Sequence, residues 1–574
     1  MTSPASSSLT PDGGDYQWLR RYPRDVRWER SFEPIPVTNL FDASVARYGT
    51  KPCTNFLGKI TTYREIARQI ELTAAGLQRE GVKRGSKVGL FMPNCPTFII
   101  YYYAVLKVGG TVVNYNPLYA MEELAFQIRD SETEIMVTLD LKVLFEKVES
   151  LLVAGTLKRA IVASFSALLP ATKSVLFKLL KGRELVNPGR SPAAAQIIQD
   201  GKLTANDGRY TPAAIEPYED IAVLQYTGGT TGTPKGAMLT HANISINCQQ
   251  GAAWATNLKS GQERALAVLP FFHVFAMTAL MNFALAEGSE LIIMPRFVLD
   301  DAMKLIDQTK PTVMPGVPTM FNAMLNHPKL KSFDLSSLKY CISGGAALPI
   351  EVKQKFEALT GCKVVEGYGL SEASPSVTCN PVDGPVKEGS IGQPLPGTIV
   401  SLRDLADPTR EVALGEKGEI CVSGPQVMRG YWKRPEETAS QFVGDFLRTG
   451  DVGIMDEDGF IFIVDRIKDL IICSGYNVYP RRIEEAIYTH PAVEEVTVIG
   501  VKDTYRGEAP KAFVKLKAGT SASEADLRQH LEPKLSKIEM PSEIEFRSEL
   551  PKTMIGKLSK KELKAEEDGR RRTS

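Results

Sequence analysis

Directly after the apolar, strand-like residues 222–226, the chain enters the loop Tyr226-Thr-Gly-Gly-Thr-Thr-Gly-Thr-Pro-Lys-Gly236. Its glycines let several backbone N–H groups turn toward one anion. Its threonines add hydroxyl donors and Lys235 adds a positive charge, a combination suited to a polyphosphate. The pattern GxxxxGK[ST] fails, because Thr233-Pro234 precede Lys235 and Gly236 follows it. That removes the ordinary P-loop nucleotide hydrolase from consideration.

Around this loop, helix-like and strand-like segments alternate. Residues 66–77 carry apolar side chains at helical spacing, 87–92 form a short apolar run ending at Pro93, 98–108 read as helix and 111–115 as strand. Such an order predicts parallel sheets covered by helices. A length of 574 residues exceeds one ordinary core and predicts two or more globular units. The last hundred residues read as a separate α+β module. They show a helix at 483–488 stopped by His490-Pro491, strands at 496–501 and 512–517, and a helix capped by Ser523. That helix carries Leu527, Leu531 and Leu535, and Pro533 is placed to kink or end it early. The join falls near residues 465–469, which divides the chain into a leader (1–35), a large N-terminal unit (36–465) and a small C-terminal unit (466–574).

Charge is balanced, with 68 Lys+Arg against 67 Asp+Glu, which argues against a dedicated nucleic-acid binder. Eight scattered cysteines without a CxxC pair, beside only five histidines, give no zinc-ligand spacing and predict buried free thiols in a reducing compartment. Residues 1–15 lack the basic-then-apolar layout of a signal peptide. The uncharged run 266–286 is long enough to cross a bilayer, but Pro270, His273, Asn282 and its many alanines predict a buried core segment. The expectation is a soluble, cytoplasmic protein. Residues 150–183 hold no acidic side chain but six basic ones, Lys158, Arg159, Lys173, Lys178, Lys181 and Arg183, and Val175, Leu176, Leu179 and Leu180 share a helix face. Two readings stand open: a surface helix packed on its own domain, or peripheral contact with the anionic inner face of a membrane.

The loop at 226–236 resembles the phosphate loop of the adenylate-forming superfamily, which includes acyl-CoA synthetases, peptide-synthetase adenylation domains and firefly luciferase. The other motifs of that family follow in order over residues 40–563. Glu366-Gly-Tyr-Gly-Leu-Ser-Glu372 and the run from Val464 to Pro480 most resemble bacterial medium- and long-chain fatty acyl-CoA ligases. The resemblance implies that Thr227, Gly228, Gly229, Thr230, Thr231 and Gly232 bind ATP together with Lys235. It implies that Glu366, Gly367 and Gly369 border the nucleotide, that Tyr368 stacks on adenine, and that Ser371, where the family usually has Thr, bonds the α-phosphate. Glu372, with Thr230, is implied to hold Mg²⁺, whose hard chemistry favours carboxylate and phosphate oxygens. Taken alone, residues 366–372 read as a tight glycine-bearing turn with one acidic group.

Ser343-Gly-Gly-Ala-Ala-Leu-Pro349, after a strand at 340–342, resembles the adenine and acyl-pocket loop and brings Gly345 and Ala346 to the nucleotide. Leu269-Pro-Phe-Phe-His273 resembles the segment that borders the acyl and CoA channels. Amino-acid-activating relatives carry Asp about there, so His273 implies a substrate acid without an α-amino group. Thr449-Gly450-Asp451 and Asp465-Arg466 resemble the ribose-binding elements. Lys468 falls at the family hinge, and Gly475-Tyr476 begin a loop that resembles the one entering the site for the second half-reaction. Leu550-Pro-Lys-Thr-Met-Ile-Gly-Lys557 resembles the catalytic-lysine loop, although composition alone makes Lys557 a surface lysine in a Lys-rich tail. Two positions depart from the pattern: Ile538-Glu539 replaces a frequent Tyr-Lys, and Asp445-Phe446 replaces a usual Gly-Trp.

The implied fold is a large N-terminal domain of layered α/β sheets with a β-structured subdomain, followed by a small mobile α+β domain. The implied reaction joins a fatty acid to coenzyme A through an acyl-adenylate, with ATP and Mg²⁺, releasing AMP and pyrophosphate. An aryl- or short-chain-acid ligase, and an adenylating enzyme that loads a separate carrier protein, are the alternatives.

Overall fold

The computed structural model describes residues 16–227, 233–474, 476–503, 506–553 and 556–573. Gly228, Gly229, Thr230, Thr231 and Gly232 of the phosphate loop, and Gly475, lie outside the described residues. Among the described residues the strands form four sheets, of nine, seven, five and five strands.

The seven-stranded sheet holds the alternating segments seen in the sequence. Its strands Arg159–Ala163, Ile135–Leu139, Lys87–Leu90, Thr111–Asn114 and Ile221–Thr227 lie side by side and parallel. Helix Tyr63–Arg79 begins with a reciprocal cap between Thr62 and Glu65 and buries Ile66, Ile70, Ala74 and Leu77, the spacing that marked it as helix. Helix Pro96–Lys107 starts on proline, whose missing N–H has no partner to lose there, and is buried almost all round. The chain then leaves strand Ile221–Thr227 and returns antiparallel as Lys235–Thr240, with Thr227 opposite Lys235. The glycine-rich loop therefore joins a hairpin, and Lys235 is held at the first position of its return strand.

The nine-stranded sheet has a parallel centre, Glu290–Ile293, Arg264–Ala267, Val313–Gly316, Tyr340–Gly344 and Lys363–Gly369. The uncharged residues 266–286 belong to its core. After the strand they turn through Val274–Ala276, a π-helical stretch Met277–Asn282 and Phe283–Ala286. The buried Asn282 amide is fully employed: it donates to Met277 O (2.9 Å) and to the Tyr102 hydroxyl (3.0 Å), and accepts from the Tyr103 hydroxyl (2.8 Å). A buried amide with three partners is why a polar residue stands in this apolar run. No helix among the described residues is long and apolar enough to cross a membrane.

An antiparallel sheet, Ile399–Arg403, Gly418–Ser423, Phe446–Met455 and Ile461–Arg466 with the short strand Phe442–Val443, follows. The last sheet carries its own apolar core, into which helix Pro480–Tyr488 sends Ile483 and Ile487 and helix Glu524–Leu531 sends Leu527 and Leu531. Ser523 and Asp526 cap the second helix reciprocally, and it ends two residues before Pro533. Strands Val493–Asp503 and Gly507–Leu516 are longer than their apolar runs indicate. The reason is Lys511, which is buried yet ion-paired with Glu543 (2.8 Å), Glu545 (2.9 Å) and Glu567 (3.0 Å), so the strand continues through a charged position. This cluster ties helix Lys560–Thr573 to the sheet and so anchors the loop carrying Lys557 just before it.

Lys511→Ala removes the buried cation shared by Glu543, Glu545 and Glu567, leaving Arg547 and Arg570 to pair Glu545 and Glu567 from the more exposed side, and should destabilise this module by about 3 kcal/mol. A urea titration followed through the module's own signal checks it; an unchanged midpoint contradicts the anchoring role.

Candidate active site

Strands Tyr340–Gly344 and Lys363–Gly369 run parallel with Gly344 opposite Gly367, and both end at a cavity of about 680 Å³. Residues 366–369, which alone read as a turn, are the end of a strand; the turn comes at Ser371–Ala373. Tyr368 sends its hydroxyl to Asp451 Oδ2 at 2.6 Å. Asp451 and Arg466 are direct cross-strand partners in the antiparallel sheet, and Arg466 Nε lies 3.0 Å from Asp451 Oδ1. The neighbouring carboxylate holds the Arg466 guanidinium above its ordinary value. Thr449 braces this strand by donating to Ile420 O (2.7 Å) and accepting from Asp451 N (3.1 Å).

Lys557 enters the cavity from the C-terminal module. Its loop is closed by Gly556 N to Thr553 O (2.8 Å), and Thr319 Oγ1 of the large unit donates to Gly556 O at 2.6 Å. Gly345 has φ +82°, and a Cβ added there would fall 2.3 Å from Lys557 Cε, so only glycine leaves room for the arm. Burial, with Arg466 nearby, pushes the Lys557 ammonium down to about 8, while Asp451 works the other way. The expectation of a surface lysine, drawn from composition alone, is thus overturned: tertiary packing has placed it inside. His273 also lines the cavity. Its Nδ1 accepts from Phe275 N (3.3 Å), and burial, reinforced by Lys557, pushes it down to about 3, so the ring is neutral.

Glu372 stands on the Ser371–Ala373 turn, and its Oε1 accepts from the Tyr431 hydroxyl at 2.8 Å. Burial raises its proton affinity, against the pull of Arg466 and Lys235. Among the described residues no three His, Cys, Asp or Glu side chains are grouped to hold a metal ion alone. A hard cation at Glu372 would therefore complete its shell with oxygens of a bound molecule, a requirement that Mg²⁺ meets when it binds phosphates. Lys235 is paired with Glu437 of helix Pro435–Ser440 and lies 5.2 Å from the Tyr431 ring centroid.

Beyond this polar end the cavity becomes apolar. One face of helix His241–Trp254 lines it with Asn247, Cys248, Gly251 and Trp254, and Thr278, Ala279 and Phe283 line it as well. A Cβ at Gly251 would stand in ordinary contact with the Phe283 ring, at 3.4 Å, so only a longer side chain there would crowd this part of the lining. Trp254 donates to Asn380 O (3.2 Å) and meets the Tyr22 ring edge-on at 5.3 Å; Tyr22 in turn donates to Pro394 O (2.7 Å). Tyr22 and Val26 come from the leader, whose Trp18 and Trp28 pack in the same cluster as Tyr368. Sequence reasoning set the leader aside; its density of aromatic side chains between Tyr16 and Trp28 was the available signal.

Of the residues singled out in the sequence, Thr227, Lys235, His273, Gly345, Gly367, Tyr368, Gly369, Ser371, Glu372, Asp451, Arg466, Lys468 and Lys557 line this one cavity. Ala346, Glu366 and Tyr476 do not. Ala346 is exposed beside it. Glu366 is buried behind the Gly345 loop, accepts from Leu348 N (3.1 Å), and is pushed up to about 7 by burial. Tyr476 is 65% exposed on strand Tyr476–Val478. The two departures from the pattern are local. Glu539 accepts from Ser536 N (2.9 Å) and pairs with Arg482 (3.1 Å), and Phe446 stacks under Arg403, 4.6 Å from ring centroid to guanidinium.

Residues 41–432 match a family model described as AMP-binding enzyme, and residues 482–557 match one described as AMP-binding enzyme C-terminal domain. A long-chain-fatty-acid–CoA ligase of Bacillus subtilis (strain 168) is 44% identical over 96% of this chain and 98% of its own length. A protein of the same description from Escherichia coli O157:H7 is 38% identical over 96% of this chain and 98% of its own. Among solved structures, ATP-bound MatB from Rhodopseudomonas palustris superposes with a TM-score of 0.80 at 27% identity, covering 93% of this chain and 99% of the other.

The packing around Lys557 makes a prediction independent of any reaction. Amine labelling followed against pH should show Lys557 titrating near 8, whereas an ordinary lysine titrates near ~10.4. Asp451→Asn removes a charge that favours the ammonium and should move the midpoint lower still. A midpoint in the ordinary range would show that Lys557 does not occupy the cavity in solution.

Proposed function

Since the chain belongs to the AMP-binding enzyme family, we propose that its cavity ligates a fatty acid of medium to long chain to coenzyme A through an acyl-adenylate, consuming ATP and releasing AMP and pyrophosphate. The observation that carries this reading is a single cavity with two ends: Lys557, Asp451, Arg466 and Tyr368 at one, and an apolar passage reaching Trp254 at the other. A fatty acid has that polarity, with a carboxylate for the lysine and a hydrocarbon tail for the passage.

In the first step a carboxylate oxygen attacks the α-phosphorus of ATP, and the bond to pyrophosphate breaks. No protein base is needed, because the acid is already ionised at neutral pH. Tyr368, Asp451 and Arg466 position the adenosine, with the Asp451 carboxylate accepting ribose hydroxyls in exchange for its present partners. Lys557 spans the carboxylate and the α-phosphate and offsets the charge that builds between them. Lys235, released from Glu437, faces the departing pyrophosphate together with residues 227–232. Glu372, with Thr230, would hold Mg²⁺, which supplies charge neutralisation on the phosphates when bound. In the second step the thiolate of coenzyme A attacks the carbonyl carbon of the mixed anhydride and AMP leaves.

The two steps need different groups at the same carbon. Lys557 and Tyr476 are carried by one module that begins past the short turn Ile467–Asp469, where Lys468 lines the cavity. We assign the boundary between units 36–465 and 466–574 to this turn. Rotation about Lys468 withdraws Lys557 and brings the Gly475-Tyr476 loop to the channel. The fatty acid partitions into bilayers, and the enzyme works as a peripheral protein at the cytoplasmic face of a membrane.

Lys557→Ala should lower ATP–pyrophosphate exchange by about a hundredfold or more, while thioester formation from supplied acyl-adenylate survives far better. Equal loss of both half-reactions contradicts the assignment. We place the acyl tail against Gly251 and Trp254 of the lining, so Trp254→Ala should shift the optimum of kcat/KM toward longer straight-chain acids and Gly251→Leu toward shorter ones. An identical chain-length profile in both variants would place the tail elsewhere.

A further inference from the structure

Helix Ala171–Lys181 turns its apolar side chains away from the protein. Not one of its residues is buried. Val175, Leu176, Leu179 and Leu180 are 60%, 55%, 77% and 75% exposed. At about 100° per residue these four fall within an arc of about 140°, and Phe177 lies on the opposite side. Phe177 is the inward anchor, with its ring 5.2 Å from that of Phe165. An ordinary surface helix shows the reverse arrangement, with its leucines against the core and its lysines in water.

The surface continues on a second element that is remote in sequence. Lys173 donates to Leu57 O (2.8 Å) and Lys59 donates to Ala167 O (2.7 Å), which fastens the hairpin of strands Pro52–Phe56 and Lys59–Thr62 beside the helix. This hairpin adds exposed Ile60 and partly exposed Leu57. The helix has no acidic residue, and Lys178, Lys181 and Arg183 border its leucines; Glu184, 3.7 Å from Lys181, and Asp140, which feels the charge of Lys178, are counter-charges beside them. Exposed leucines ringed by lysines fit an interface that is anionic at its surface and hydrocarbon just beneath. A second protein surface would need acidic groups to match the ring and an apolar groove to match the ridge, and a bilayer of anionic lipid supplies both without a matching shape.

We infer that this helix and the adjoining hairpin form the surface by which the protein docks on an anionic bilayer, a deepening of the peripheral reading above. Full-length protein is sedimented with vesicles of phosphatidylglycerol or of phosphatidylcholine alone, at low and high salt. Binding is expected to the anionic vesicles, weakened at least roughly tenfold at high salt as the screening length shrinks. Two variants, Leu176→Ser/Leu179→Ser/Leu180→Ser and Lys178→Glu/Lys181→Glu/Arg183→Glu, should each lose binding by a similar factor. Both should keep wild-type ATP–pyrophosphate exchange with a short, water-soluble acid, which shows that they are folded. Wild-type protein that stays in the supernatant overturns the proposal, as do variants that bind undiminished. A concentration-dependent dimer abolished by the serine substitutions also overturns it, since the face then belongs to a second copy. Protein that binds vesicles through these residues yet adenylates no fatty acid upholds the surface and refutes the substrate reading.

Discussion

The carboxylate of Asp451 is shared by three pieces of backbone that are distant in sequence or belong to different units. It accepts from Tyr368 at the end of the nine-stranded sheet, pairs with Arg466 on its own antiparallel sheet, and acts electrostatically on Lys557 of the C-terminal module. With Asp451 only 6% exposed, an unpaired carboxylate would cost several kcal/mol, and the phenol, guanidinium and ammonium around it supply its partners. Such a cluster is stable without being inert. In the proposed reading a nucleotide offers ribose hydroxyls to the carboxylate and phosphates to the cations, so pairs in the protein would exchange for pairs with the ligand at little net cost.

Around that centre, glycine decides what can approach. Gly345, at positive φ, leaves space for the Lys557 side chain, and Gly251 faces Phe283 in the apolar lining, where a long side chain would take up room. Trp254 lines the passage, held by a hydrogen bond to Asn380 and by the ring of Tyr22 of the leader. The leader therefore does structural work at both ends of the cavity, since its two tryptophans back Tyr368 while Tyr22 backs Trp254. The polar end is assembled from two modules and the apolar end from one, so the proposed hinge would change the groups around the carboxyl without disturbing the tail.

Much of this was legible in the sequence where local pattern and local structure coincide. Helix Tyr63–Arg79, strand Thr111–Asn114 and the cap at Ser523 follow from spacing and side-chain type. The glycine-rich loop pointed to phosphates before any partner was known. What stayed hidden depended on contacts distant in sequence. Lys557 looked like a tail lysine because nothing near it in sequence reports that Gly345 makes room for it. Lys511 looked like the edge of a strand because its three glutamates lie 32 to 56 residues away, and residues 366–369 looked like a turn because glycine's flexibility outweighed the neighbouring strand that holds them straight. The motif resemblance brought Ala346, Glu366 and Tyr476 toward the site, but Glu366 supports the loop from behind and Tyr476 faces outward with Lys557 inside. Acyl length was illegible because the apolar lining comes from segments far apart in sequence, and Trp254 is itself backed by a leader residue more than two hundred positions earlier.

The central claim is that one carboxylate oxygen becomes bonded to the α-phosphorus of ATP inside this cavity. Turnover of a fatty acid labelled with ¹⁸O in both carboxylate oxygens, in the presence of ATP and coenzyme A, tests it directly. Attack on the α-phosphorus and later cleavage of the acyl–oxygen bond by the thiol leave one labelled oxygen in AMP and none in pyrophosphate. Mass spectrometry of the released nucleotide should therefore show AMP heavier by a single ¹⁸O. Unlabelled AMP, or label recovered in inorganic phosphate beside ADP, would contradict the account.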